Sequence, residues 1–261
     1  MGGKGLTIVK LGGSLITDKN SPMTLDASGL VSAASALANL GGDLIVIHGG
    51  GSFGHHVASK YGLSSQPSKK LQIVGVFKTR DAMQQLNIEV LTRLEQQGIH
   101  TYSFPPIALM DGRKPSTGNI ALLKQIVKAG LTPVTYGDVL PSPRGFYILS
   151  GDGIVQMITR ELRPRRIVFA LDVDGIYPNP KAISPNSRPI PVINARNAPQ
   201  IGTSKVTSDV TGGILAKLRV GLTIAKEGTD VIFASGRKPE VLLKALKGDV
   251  EQGTIIPALN G

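Results

Sequence analysis

The stretch His48-Gly49-Gly50-Gly51-Ser52-Phe53-Gly54-His55-His56 holds the residue types and spacing best suited to chemistry in this chain. It follows the apolar run Leu44-Ile45-Val46-Ile47, so it reads as a strand entering a glycine turn and then, around Gly54, a helix. Consecutive glycines let backbone N–H groups converge on an anion with no side chain in the way. A helix opening there adds the positive end of its dipole. A histidine at the mouth of the turn supplies a hydrogen-bond donor whose charge changes near neutral pH. The pattern is that of a phosphate site.

Four further clusters share this character. Lys10-Leu11-Gly12-Gly13-Ser14 ends the first apolar run, with Lys19 just beyond. Its glycines permit close approach to phosphate oxygens and its lysines are mobile point charges. The spacing is neither that of a Walker loop nor that of a dinucleotide fingerprint. Tyr136-Gly137-Asp138 and Ser150-Gly151-Asp152-Gly153 each place an aspartate behind an apolar segment. Leu171-Asp172-Val173-Asp174-Gly175-Ile176-Tyr177 carries two carboxylates two residues apart, with no histidine or further carboxylate nearby. That favours a turn cupping a nucleotide over a metal site, and no protein metal ligand is expected. Finally, Asp209-Val210-Thr211-Gly212-Gly213 opens a helix carrying Lys217, with Asp209 and Thr211 both suited to capping it. The stem of Lys217 can reach back toward that helix start.

The elements that must position these clusters alternate from end to end. Strands are expected at Leu6–Leu11, Leu44–His48, Thr101–Phe104, Thr132–Tyr136, Ile167–Leu171 and Val231–Ala234. Helices are expected over Leu25–Leu40, Val74–Gln97, Thr117–Ala129, Gly153–Leu162 and Thr211–Lys226. Such alternation gives a mainly parallel sheet covered by helices on both faces, with ligands at the carboxyl ends of its strands. The segment Tyr177–Ala198 is rich in Pro, Asn and Ser and reads as an excursion with a small hairpin near Pro189–Ile193. A soft boundary near residue 165 divides a single domain, residues 1–261, into halves of about 1–165 and 166–261 that share one sheet.

Composition narrows the function classes. The chain has 261 residues, 41% hydrophobic and 18% charged, as in an ordinary soluble globule. No apolar run approaches the ~20 residues of a membrane span, and no secretory leader pattern is visible. Cysteine is absent, which removes disulfides, thiolate metal sites and a cysteine nucleophile. A cytoplasmic protein is expected. The net charge of +11 raises nucleic acid as a partner, but aromatics are only 4%, so base-stacking platforms are scarce. Apart from Arg160, Arg163, Arg165 and Arg166 the basic residues are dispersed. Such a surface draws in small anions.

Taken in order, Lys-Leu-Gly-Gly-Ser, Asp-Val-Asp-Gly and Asp-Val-Thr-Gly-Gly resemble the amino acid kinase superfamily over nearly the whole chain. Within it, His-Gly-Gly-Gly-Ser-Phe-Gly-His resembles the isopentenyl phosphate kinase family, since related amino acid and nucleotide kinases usually lack the terminal histidine. Gly75-Val76-Phe77-Lys78-Thr79, leading into Leu86-Asn87, is similar to that family's acceptor helix. Two positions depart from the pattern: His56 repeats the histidine next door, and Gly153 stands where many relatives repeat the aspartate.

The resemblance implies an αβα sandwich, often dimeric, that uses ATP and Mg²⁺ to convert isopentenyl phosphate to isopentenyl diphosphate in the alternative mevalonate route. It places the family histidine on His55, as a donor to the acceptor phosphate. Gly50, Gly51, Gly54 and Gly151 would complete the acceptor cradle. Lys10, Lys19 and Lys217 would neutralise the nucleotide phosphates and the transferred group, oriented by Asp152 or, failing that, Asp138. Gly12, Gly13, Ser14, Asp172, Asp174, Gly175, Tyr177, Gly212 and Gly213 would surround the nucleotide. Val76, Thr79 and Met83 would wall the acceptor tail, and His48 would be structural. Two other classes remain open from the residues: a kinase of this fold acting on a phosphonate or amino-acid derivative, and a nonenzymatic nucleotide sensor.

Overall fold

The computed structural model describes residues 5–63, 69–143, 145–179, 183–184, 187–194 and 213–259. Six β-branched runs form strands where alternation predicts them, within one or two residues. They are β1 (Thr7–Leu11), β2 (Leu44–His48), β3 (Thr101–Ser103), β6 (Thr132–Tyr136), β9 (Arg166–Leu171) and β10 (Asp230–Ser235). All pair in parallel, in the spatial order β10-β9-β1-β2-β6-β3. Every residue of β1, β2 and β9 is buried, because helices cover both faces of a parallel sheet.

Successive residues of a strand feed opposite layers. Val9, Leu11 and Val46 pack with α2 (Ala27–Ala38), α4 (Lys69–Gln96) and α8 (Pro239–Lys247) through Leu30, Leu86 and Leu242. Ile8, Ile45 and Ile167 face the other way, onto α5 (Thr117–Lys128), α6 (Gly151–Leu162) and α7 (Gly213–Lys226) through Ile120, Ile158 and Leu218. The result is an αβα sandwich whose sheet contains strands from both sides of residue 165.

Several elements differ from the sequence expectation. The helix after the glycine turn, α3 (Gly51–Lys60), begins at Gly51 rather than Gly54, because the Gly50 carbonyl already accepts from Phe53 and Gly54 N–H at 3.0 and 2.9 Å. A short helix α1 (Gly13–Ile16) starts directly after β1. Two hairpins leave the sheet: β4 (Met110–Asp111) with β5 (Lys114–Pro115), and β7 (Asp138–Ser142) with β8 (Gly145–Leu149). The last strand, β11 (Thr254–Ile256), joins β10 antiparallel at the sheet edge. Residues Pro189–Ile193 form no hairpin: Val192 bridges Ile255 in parallel, so this segment extends along the last strand. The expected helix start at Asp209, Thr211 and Gly212 lies outside the described residues.

Candidate active site

Backbone hydrogen bonds lock the carboxyl ends of the central strands to one another. Gly12 N–H donates to Ala170 O at 2.9 Å, Gly49 N–H to Leu11 O at 3.0 Å, and Gly137 N–H to His48 O at 3.3 Å. The first two glycine turns interlock, since a Cβ on Gly13 would run into the backbone of Gly51. Gly51 itself has φ +47°, and a Cβ there would strike Thr17 Oγ1. That hydroxyl donates to Gly13 O (2.8 Å) and accepts from Ser52 N–H (2.9 Å), bolting the two turns together. Over these strand ends lies a cavity of about 720 Å³. The amino ends of α3 and α6 open toward it, each with a glycine on its wall, Gly51 and Gly151.

Charge in the cavity is arranged around two carboxylates. Asp152, in the first turn of α6, pairs with Lys10 Nζ at 2.9 Å and with Lys217 Nζ at 3.3 Å. Lys10 comes from β1 and Lys217 from α7, so one carboxylate joins cations from the two sequence halves. Burial alone would push the Asp152 carboxyl up, but the two lysines hold it below the usual range. Burial pulls the Lys10 ammonium down, against the pull of Asp152. Asp172, also on the cavity wall, accepts from Ser14 Oγ at 2.7 Å and from Lys19 Nζ at 2.6 Å. Burial raises the Asp172 carboxyl and those two donors more than offset it, leaving it lowered. His55 is half-buried and His56 exposed, and both border the cavity.

A model of the amino acid kinase family matches residues 5–235, which span these strand ends and lysines. The chain belongs to the amino acid kinase family. Among amino acid kinases it is 33% identical to an isopentenyl phosphate kinase of Methanothermobacter thermautotrophicus, over 96% of this chain and 98% of that protein. It is 35% identical to one from Thermoplasma acidophilum, over 90% and 94% of the two chains. The crystal structure described as "X-ray structures of isopentenyl phosphate kinase" superposes with a TM-score of 0.81 at 29% identity, covering 96% of this chain and 99% of that one. The chain therefore lies on the isopentenyl phosphate kinase branch.

In this amino acid kinase the expected site residues divide. Gly50, Gly51, Gly151, Thr79 and Met83 of the expected acceptor set border the cavity, as do Gly13, Ser14, Gly175, Tyr177 and Gly213 of the expected nucleotide set. Five expectations need correction. Gly54 borders the cavity, but its N–H already donates to Gly50 O, so it offers no donor to an anion. Its missing side chain serves packing instead, because a Cβ there would come within 2.8 Å of Met83 Sδ. Gly12 faces the backbone of Ala170 rather than the cavity, and Asp174 pairs outward with Lys238 at 2.9 Å. Val76 is buried without bordering the cavity. Asp138 does not reach the lysines: it pairs with Arg80 at 3.4 Å, and burial raises its carboxyl. Gly212 lies outside the described residues.

Sequence reasoning missed the apolar wall supplied by the hairpin: Val139 of β7 and Ile148 and Leu149 of β8 all border the cavity. The signal was present, because Pro141-Ser142-Pro143-Arg144-Gly145 is turn chemistry between two strand-forming runs.

Proposed function

We propose that this protein transfers the γ-phosphoryl group of ATP to isopentenyl phosphate, forming isopentenyl diphosphate and ADP in isoprenoid synthesis by the alternative mevalonate route. One observation carries the reading. A single cavity joins the Lys10–Asp152–Lys217 cluster to a glycine-rich helix start, a histidine and an apolar wall of Met83, Val139 and Ile148. The first parts suit two phosphates, and the last suits a hydrocarbon tail. The relatives named isopentenyl phosphate kinase support the same acceptor.

In this reading a non-bridging oxygen of the acceptor phosphate attacks the γ-phosphorus. The bond from that phosphorus to the β–γ bridging oxygen breaks, and ADP leaves with the electron pair. The acceptor is already an anion and needs no base, so the barrier is mainly the repulsion of two anions. Lys10, Lys19 and Lys217 offset it, with Asp152 and Asp172 fixing their ammonium groups before substrate arrives. His55 and the turn N–H groups hold the acceptor phosphate. The halves near 1–165 and 166–261 would then serve acceptor and nucleotide respectively.

The described residues contain no group of three or more His, Asp or Glu side chains able to hold a metal. The carboxylates nearest the phosphates, Asp152 and Asp172, are already engaged by lysines. That donor set fits Mg²⁺ carried in as the ATP complex, held by phosphate oxygens and water, where it would neutralise charge on the triphosphate.

A homodimer is part of the same proposal. Ile73, Phe77 and Ile88 form an exposed stripe along α4, and exposed Tyr102 lies on the neighbouring edge strand β3. Equilibrium sedimentation checks it: Phe77→Glu should shift the protein to monomer. A cytoplasmic location is proposed as well, and no helix among the described residues is long and apolar enough to cross a membrane. An amino-acid acceptor would call for a well-placed arginine to hold its carboxylate in two parallel hydrogen bonds, and no arginine borders this cavity among the described residues. The deciding experiment offers ATP with isopentenyl, dimethylallyl and geranyl phosphates, fosfomycin and acetylglutamate, scored for phosphorylated product. Isopentenyl phosphate should be the best acceptor, and preference for acetylglutamate would sink the proposal.

A further inference from the structure

His48 closes β2 immediately below the glycine turn, is fully buried and does not border the cavity. Its imidazole stacks on Tyr136 of β6, with centroids 5.2 Å apart and planes inclined by 18°. Nδ1 stands 3.1 Å from the Gly49 carbonyl oxygen, and Nε2 stands 3.2 Å from Asn87 Oδ1 on α4. Asn87 Nδ2 is in turn 3.0 Å from Ser103 Oγ on β3. The residue thus reaches α4, β6 and, through Asn87, β3, at the level of the phosphate turn.

Hydrogen-bond accounting fixes the direction of this chain. Burial holds the ring's pKa down to about 4, so the imidazole is neutral and has a single N–H. The Gly49 carbonyl can only accept, so the proton sits on Nδ1 and Nε2 is an acceptor. With Oδ1 turned to the ring, Asn87 would oppose two acceptors. A half-turn of the amide exchanges its oxygen and nitrogen while leaving the other atoms in place. The amide then donates to Nε2, and the Ser103 hydroxyl donates to its oxygen.

The consequence lies one peptide further on. In a trans peptide the carbonyl and the following N–H point in opposite directions. Drawing the Gly49 carbonyl down onto His48 therefore turns the Gly50 N–H the other way, and Gly50 borders the cavity. Between two glycines no side chain biases that peptide plane, so an external tether must choose its orientation.

We propose that His48 is a positioning residue for the acceptor phosphate: its Nδ1–H holds the Gly49 carbonyl and so aims the Gly50 N–H into the cavity. This rests on the reading of the glycine turn as the acceptor-phosphate site. His48 touches no substrate. It acts through the peptide above it, with Asn87 selecting its tautomer.

Two replacements separate the tether from mere packing. His48→Asn keeps a donor near the Nδ1 position but loses the ring stack, whereas His48→Phe keeps the ring and loses the donor. Steady-state kinetics should show His48→Phe with KM for isopentenyl phosphate raised about 10–100-fold, by analogy with the loss of a hydrogen-bond partner that orients a metal ligand. KM for ATP should stay within about twofold of wild type, and His48→Asn should recover much of the acceptor KM despite a lower melting temperature. Equal acceptor KM in the Phe variant and wild type would overturn the proposal, as would parallel loss in both variants or equal rises in both KM values. If His48→Phe does not fold, Asn87→Leu carries the test: releasing the tautomer should raise acceptor KM and leave ATP KM alone, and an unchanged acceptor KM overturns the proposal. Wild-type protein run alongside keeps the two ideas distinguishable. If it turns over isopentenyl phosphate, only the positioning role is at stake. If it does not, the acceptor reading fails and takes this role with it.

Discussion

His55 and His56 are adjacent in sequence yet differ in environment, the first half-buried and the second exposed. A donor that must meet the acceptor phosphate in a fixed place belongs at His55. His55→Ala should cost about 10²–10³ in kcat, as loss of one transition-state donor does. His55→Gln should keep part of the rate through its amide, and His56→Ala should be near normal. Activity lost at His56 instead of His55 would reverse the assignment. Asp152 poses a different question, because it holds two lysines together in a buried setting. Removing one member of a buried charge group costs about 3–5 kcal/mol, so Asp152→Asn should lower the melting temperature. A nonhydrolysable ATP analogue should then stabilise the variant more than it stabilises wild type, because phosphate takes over the missing negative charge. Equal thermal shifts in the two proteins would show that nucleotide does not meet this lysine pair.

The contact between α3 and α4 places the acceptor cradle beside its tail wall. Met83 of α4 is almost fully buried, borders the cavity, and sits where a Cβ on Gly50 or Gly54 would lie, with Sδ at 3.0 and 2.8 Å from those positions. The glycines thus admit a helix as well as a phosphate. Met83→Ala should destabilise by about 2–5 kcal/mol, as large-to-small core changes do. It should also raise the turnover ratio of geranyl over isopentenyl phosphate. A lower melting temperature with an unchanged ratio would assign Met83 to the core alone. The expectation of Val76 on this wall fails for a helical reason. Val76, Thr79 and Met83 all lie on one face of α4, but Val76 sits about one turn nearer the helix start than Thr79, where the cavity no longer reaches.

The whole molecule's response to acid follows from its buried titratable groups. The His48 ring takes up a proton at pH 6.5 when unfolded and only at about 4 when folded. Unfolded chains therefore bind more protons across that window, and stability should fall as pH drops from about 6.5 to about 4. Asp152 and Asp172 have lowered folded pKa values, so their contribution is intact above the unfolded value and lost only below about pH 3.9. Asp138, raised by burial, acts in the opposite sense, favouring the fold as pH falls. Urea unfolding at pH 7, 5.5 and 4.5 compares wild type with His48→Asn, which isolates the histidine. The variant should lose less stability over that range, and identical slopes would show that His48 does not titrate on unfolding.

Sequence alone determined the layered architecture, because β-branched runs and helical patterns are local signals with periods of two and 3.6 residues. It also located the glycine turns and the lysines beside them, since those residue types act where a strand ends. Asp152 and Asp138 look alike in sequence, each following a glycine at the end of an apolar run. Only the packing of α6 beneath β1 and α7 brings Asp152 to both lysines, while α4 supplies Arg80 to Asp138. Gly54 has the same ambiguity, since a glycine that frees an N–H and one that admits a neighbouring side chain are identical on paper. The hairpin wall and the His48 tether likewise depend on partners far along the chain, such as Asn87 and Tyr136. Tertiary structure decided these, because a side chain's role follows from the groups that surround it, and those come from distant segments.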